Sequence, residues 1–239
     1  MGLIAVLALI HAGRSILTEL QDAYVVLGLG FIPARYGGSN PVEFPGGTIA
    51  DFTSFVTHMF VHGDWVHLLI NSAWLLAFGT PIAQRIGGVR FLLFSMVCGI
   101  AGAATFLALN PGLAAPMVGA SGAVSGMLGG LLRFMFSAID YGGFGGLQGG
   151  GRHVPLMSFG QMLRDRRAVL TIAIWVALNF IFSLGIDGIA EPGSIAWEAH
   201  LGGFFAGLLL FGLFDRPLRE PVAEPQPDVK PDPETGPWG

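Results

Sequence analysis

Gly119-Ala120-Ser121-Gly122-Ala123-Val124-Ser125-Gly126 is the stretch that decides how the chain is read, a serine set among small residues at the mouth of an apolar run. Such a serine is a packing residue unless three things attend it: a base within reach, donors for an oxyanion, and water. The apolar run continues past Gly126, so Ser121 opens a helix. The first N–H groups of a helix have no intrahelical partner, and Gly119 and Gly122 keep bulk away from the hydroxyl. Ser121, Ser125 and Gly129 fall at i, i+4 and i+8, which makes one face of that helix small and polar.

The surrounding chain is lipid-soluble in character. Of its 239 residues 52% are hydrophobic and only 12% charged, with a mean hydropathy of +0.64, far from the roughly 25% charged residues of a soluble domain. The net charge of -4 and the segregation of lysine and arginine between apolar runs exclude nucleic acid as a partner. The single cysteine, Cys98, lies inside an apolar run, so no intrachain disulfide forms. No basic leader precedes the first apolar run, so a cleaved signal peptide is not expected.

Six apolar runs read as membrane spans, at about 2–18, 66–84, 89–109, 121–137, 168–186 and 196–214. They predict an all-α, polytopic membrane domain over residues 1–214. A disordered, proline-rich cytoplasmic tail is expected over 215–239. Thr18 to Asn40 reads as a long, partly helical loop near the membrane surface. The glycine-rich, basic loop after Ile139 carries no packing signal, although Pro155 to Leu163 is a candidate surface helix.

Parity then relates the spans. The second, fourth and sixth run in one direction, so their N-terminal ends, carrying His67, Ser121 and His200, share one side of the membrane. Arg85, Arg90, Arg133, Arg152, Arg164, Arg166, Arg167, Arg216, Arg219 and Lys230 lie on the other side, whereas only Arg14 and Arg35 share the histidine side. Positive-inside bias makes both termini cytoplasmic and opens the serine end to the extracytoplasmic side.

On the sixth span His200, Gly203 and Gly207 fall at i, i+3 and i+7, again on one face. Small faces let membrane helices approach closely, which would bring the His200 imidazole to the Ser121 hydroxyl. Serine and histidine suffice as nucleophile and base. His67 and Asn71, at i and i+4 on the second span, can both donate hydrogen bonds to negative charge developing near the same end. His58 and His62 have the i, i+4 spacing of a zinc pair, but thiolates and the H-E-x-x-H glutamate are missing. A polar turn held by histidine hydrogen bonds is the expected reading, with neither metal nor cofactor.

This constellation resembles the rhomboid family of intramembrane serine proteases. Its G-x-S-G pattern with a later glycine matches Gly119-Ala120-Ser121-Gly122 and Gly126. Its A-H-x-x-G-x-x-x-G pattern matches Ala199, His200, Gly203 and Gly207, and its H-x-x-x-N pattern matches His67 and Asn71. The resemblance implies a six-transmembrane-helix bundle with a short, buried serine helix and a water-filled cavity capped by the loop after the fifth span. It implies Ser121 as nucleophile and His200 as general base and acid. The oxyanion would be bound by Asn71, His67 and the backbone around Ser121, including Ala120 and Gly119. The implied substrates are single-pass or multi-pass membrane proteins in the bilayer, in bacteria at the inner membrane. Many bacterial members carry an aromatic residue four positions after the serine, stacked on the histidine. Ser125 occupies that position here, which leaves the orientation of His200 to another partner.

Other classes fit less well. A soluble nucleophile elbow needs G-x-S-x-G, and the residue two beyond Ser121 is Ala123. A transporter would carry its charges at the midplane. A rhomboid-like, non-catalytic protein that binds membrane clients is the alternative, but such proteins lose the serine or the histidine.

Overall fold

The structure, a computed structural model, describes residues 1–37, 43–184 and 196–215. Among them run eleven α-helices: α1 (Gly2–Arg14), α2 (Glu19–Leu29), α3 (Gly47–Thr57), α4 (Trp65–Trp74), α5 (Thr80–Ile86), α6 (Gly88–Leu109), α7 (Ser121–Leu132), α8 (Met135–Gly142), α9 (Phe159–Arg164), α10 (Arg166–Ser183) and α11 (Trp197–Phe214). The chain is all-α, as its composition predicts. The loop at 38–42, the end of the fifth expected span, the loop after it and the tail beyond Asp215 fall outside the described residues.

Local chemistry sets the helix ends. Thr18 and Gln21 form a reciprocal capping box that starts α2. The Asp64 carboxylate accepts the His67 N–H at 2.7 Å and so starts α4. A π-helical turn, Leu75–Gly79, joins α4 to α5, and Pro81 follows where a missing N–H costs little. Gly87, at φ +81°, separates α5 from α6.

Three of these paths are long and apolar enough to cross a membrane: Trp65–Ile86, Gly88–Leu109 and Trp197–Phe214. A fourth arises if α7 and the segment Met135–Gly150 are taken as one path bent by 49°. The run expected as a single span from 121 to about 137 is therefore broken. The break falls at Arg133, whose guanidinium donates to the carbonyls of Met157 and Leu208, each at 3.0 Å, and lies over the Phe159 ring. At the other end of the chain, α1 is 13 residues long, about 20 Å of helix. Its Arg14 grips both Asp22 carboxylate oxygens, at 2.7 and 2.9 Å, and donates to the His62 carbonyl.

Helix α7 is the centre of the molecule. Every residue from Gly122 to Leu132 is buried, and its 12 residues span about 18 Å, short of a bilayer core of about 30 Å. It packs between α6 and α11 with almost no side chain in between. A Cβ on Gly203 would strike the Gly122 carbonyl, one on Gly207 the Gly126 carbonyl, and one on Gly129 the Phe204 carbonyl. Below this stripe the Phe94, Phe134 and Phe211 rings fill the core, with centroids 5.3 and 5.7 Å apart.

The glycine-rich loop departs from expectation. Gly143–Gly150 is a short 3-10 segment, and it packs because its glycines let backbone meet backbone. A Cβ on Gly150 would stand 2.7 Å from the Arg85 Cα. Arg85 organises the region: it donates to the carbonyls of Gly151 and Val154, pairs with both Asp215 oxygens at 2.8 and 2.9 Å, and covers the Phe134 ring at 4.5 Å. The candidate surface helix over 155–163 appears as α9, opened by a Ser158/Gln161 capping box.

The contact between α7 and α11 sets a first test. Gly207→Ala should lower unfolding stability in detergent by about 1–3 kcal/mol, the usual cost of overpacking. Gly13→Ala, whose Cβ meets nothing within 4 Å, should leave it unchanged or slightly raised, as read from thermal melting of both variants.

Candidate active site

The loop before α7 is pinned so that Ser121 becomes its first residue. Phe31 and Met117 exchange backbone hydrogen bonds at 2.9 and 2.8 Å, and the Ala34 N–H donates to the Leu113 carbonyl at 3.0 Å. The Gly119 N–H donates to the His58 carbonyl at 2.9 Å. Gly119 holds φ +116°, a conformation that other residues rarely adopt. Ala120 closes the turn, its carbonyl accepting the Val124 N–H at 2.9 Å.

His200 lies in the first turn of α11, and its Nε2 is 2.8 Å from Ser121 Oγ. The two residues are 79 positions apart in sequence. Beside them, Glu198 accepts from Asn110 Nδ2 at 3.0 Å and ties the start of α11 to the end of α6. On its other side, His200 Nδ1 is 2.8 Å from the side-chain oxygen of Asn179, on α10. Asn179 escapes the sequence reading. Its only signal is a lone amide within an apolar run, and nothing in the spacing relates it to residue 200.

His67 sits in the first turn of α4, with its ring over Gly119. A Cβ on Gly119 would lie 2.7 Å from His67 Nε2 and 3.9 Å from Ser121 Oγ, so only a residue without a side chain lets the imidazole stand this close to the turn that carries Ser121. The Gly63 N–H approaches His67 Nδ1 at 3.4 Å, which leaves Nε2 as the protonated nitrogen, facing Gly119. Asn71 is buried one turn on, and one of its two amide protons goes to the His67 carbonyl at 3.0 Å. The other remains for a ligand.

Of the expected oxyanion donors, Gly119 is corrected. Its N–H is committed to the His58 carbonyl, so Gly119 serves through its missing side chain and its positive φ. The amides without an intrahelical partner are those of the N-cap Ala120 and of Ser121, Gly122 and Ala123 at the start of α7. The expected turn of hydrogen-bonded histidines is also half right. His58 Nδ1 donates to the Ser54 carbonyl at 2.8 Å, whereas neither ring nitrogen of the buried His62 makes a close hydrogen bond among the described residues. His62 instead meets the His67 ring edge-on, centroids 5.2 Å apart. No group of three or more His, Cys, Asp or Glu side chains among the described residues could hold a metal ion.

A rhomboid domain family model matches residues 50–216, and the chain belongs to the rhomboid family. It is accordingly a multi-pass integral membrane protein. It is 27% identical over 90% of its length to a rhomboid protease, GluP, of Bacillus subtilis, and 31% identical over 66% of its length to RHOMBOID-like protein 4 of Arabidopsis thaliana. Rhomboid-like protease 5 of Toxoplasma gondii is 28% identical over 63% of the chain. The matches span 39%, 33% and 15% of those relatives' own lengths.

Burial at the turn before α4 gives a pH dependence. Removal from water lowers the pKa of His58 and of His62 from 6.5 to about 4. Both are neutral in the fold, so the unfolded chain takes up protons first. The stability they contribute is full above pH 6.5 and is lost as pH falls toward about 4. Melting temperature in detergent should drop across that window, and a His62→Phe variant should drop less steeply.

Proposed function

We propose that the protein is an intramembrane serine endopeptidase working through a Ser121–His200 dyad on peptide bonds in or near the transmembrane segments of other membrane proteins. The observation that carries this reading is the 2.8 Å contact between Ser121 Oγ and His200 Nε2, beside the donors His67 and Asn71. A hydroxyl at that distance from an imidazole nitrogen is within reach of general-base activation.

In this mechanism Ser121 Oγ attacks the scissile carbonyl carbon while His200 Nε2 takes the hydroxyl proton. The carbonyl oxygen becomes an oxyanion, held by the Ser121 N–H, by His67 Nε2–H and by the remaining amide proton of Asn71. Collapse of the tetrahedral species expels the amine, which receives its proton from His200. Water then attacks the acyl ester, again with His200 as base, and frees Ser121.

Six spans, with both termini cytoplasmic and the dyad opening to the extracytoplasmic side of a bacterial inner membrane, complete the proposal. The opposition of the two helix ends supports it. His67, Ser121 and His200 start their helices, whereas Arg85 and Arg133 lie at the far ends of α5 and α7. A non-catalytic client-binding role is disfavoured because it gives no reason for the serine–imidazole contact.

A fluorophosphonate probe on the detergent-purified protein should label the wild type and leave Ser121→Ala unlabelled. His200→Ala should slow labelling by at least about 100-fold. Equal labelling of wild type and Ser121→Ala would remove the nucleophile. With a transmembrane peptide substrate, Asn71→Ala should lower kcat by roughly 10- to 100-fold with little change in KM.

A further inference from the structure

Asn179 touches the proposed dyad, yet the mechanism above gives it no task. It is 5% exposed on α10 and touches the far side of the His200 ring. Ser125, where family members carry an aromatic residue, offers no ring to stack on His200. We infer that Asn179 is a positioning residue that fixes the proton of His200 on Nδ1 and thereby leaves Nε2 bare toward Ser121. The inference rests on the dyad reading above and deepens it.

Hydrogen-bond chemistry fixes the direction of every proton. The Trp175 carbonyl, 2.8 Å from one end of the Asn179 amide, accepts only, so that end is the NH2 group. The opposite end is therefore the carbonyl oxygen, and it too accepts only. Facing it at 2.8 Å, His200 Nδ1 must donate. A neutral imidazole carries one proton, so Nε2 holds a lone pair, 2.8 Å from Ser121 Oγ. The chain of contacts from Trp175 through Asn179 and His200 to Ser121 thus has one consistent polarity, and it ends on the hydroxyl proton that must be removed. No choice between the two amide orientations is needed, because the Trp175 carbonyl makes it.

Helix geometry supports the same role. Trp175 and Asn179 are one turn apart, so the NH2 group is satisfied within α10 while the oxygen projects toward α11. Trp175 stacks on the Phe204 ring of α11, centroids 6.3 Å apart, and with Ile172 packs against the apolar cluster that includes Phe204 and Leu208. The imidazole is thereby restrained at both nitrogens.

Two readouts separate positioning from mere support of the fold. In 15N-histidine-labelled protein in micelles, the His200 ring, assigned by its loss in His200→Ala, should carry its proton on Nδ1. In Asn179→Ala the Nε2–H form should become populated. With a transmembrane peptide substrate, Asn179→Ala should lower kcat by about tenfold with KM unchanged, the loss of one hydrogen bond in the transition state. Asn179→Asp, which keeps an acceptor facing Nδ1, should recover most of that loss. A wild-type ring protonated on Nε2 overturns the inference outright, even if Asn179→Ala fails to fold. So does an Asn179→Ala protein with unchanged tautomer and unchanged kcat, or an Asn179→Asp protein as slow as the alanine variant. The dyad itself is judged separately. If Ser121→Ala still labels while the tautomer shifts in Asn179→Ala, the nucleophile assignment fails and the Asn179–His200 relation stands.

Discussion

Between α7 and α11 the backbone carbonyls of Gly122 and Gly126 lie where side chains on Gly203 and Gly207 would otherwise be. In lipid no hydrophobic force drives such a pair together, so close van der Waals approach and the contacts it permits have to do so. The two touching pairs are four residues apart on each helix, so the helices descend in step. One turn above them the same register brings the His200 imidazole to the Ser121 hydroxyl. A serine and a histidine far apart in sequence are thus held at hydrogen-bond distance by the absence of atoms elsewhere. The geometry is as rigid as the backbones that make it.

The opposite end of the bundle is organised by the reverse device, charge sunk among carbonyls. Arg85 and Arg133 are both buried, and each gathers oxygens from segments that come late in the chain, around residues 150–157 and at Leu208 or Asp215. A buried guanidinium is tolerated only when its fixed fork of donors is filled. Filling it recruits the glycine-rich loop, which would otherwise have no reason to fold. The Ser121–His200 contact and these two arginines therefore occupy separate ends, and Arg14, on α1, does for the loop before α4 what Arg85 does for the loop after α8.

The sequence was most legible where function and packing coincide. The faces Ser121/Ser125/Gly129 and His200/Gly203/Gly207 could be read from helical spacing, and parity alone brought His67 to the same end. Membrane character followed from composition. What escaped were features decided by partners distant in sequence. The bend after Leu132 depends on the carbonyls that Arg133 finds at Met157 and Leu208, and neither is visible from residue 133. The packing of Gly150 and Gly151 depends on Arg85. Gly119 looked like a donor, yet its N–H is taken by His58, which the spacing does not relate to it. Asn179 was hidden for the same reason, although the lack of an aromatic residue at Ser125 left a vacancy that some partner of His200 had to fill.

Cys98 governs how the molecule can be labelled. It is the chain's one cysteine, it is fully buried in α6, and its sulfur lies against Gly126 where no reagent can approach. Thiol reagents act on accessible thiolates, so this sulfur stays silent in the folded protein. The natural chain therefore already behaves as a cysteine-free background. A single cysteine introduced in any loop becomes the sole reactive position, which opens sidedness mapping by impermeant maleimides, spin labels and crosslinkers without first removing a residue packed against α7.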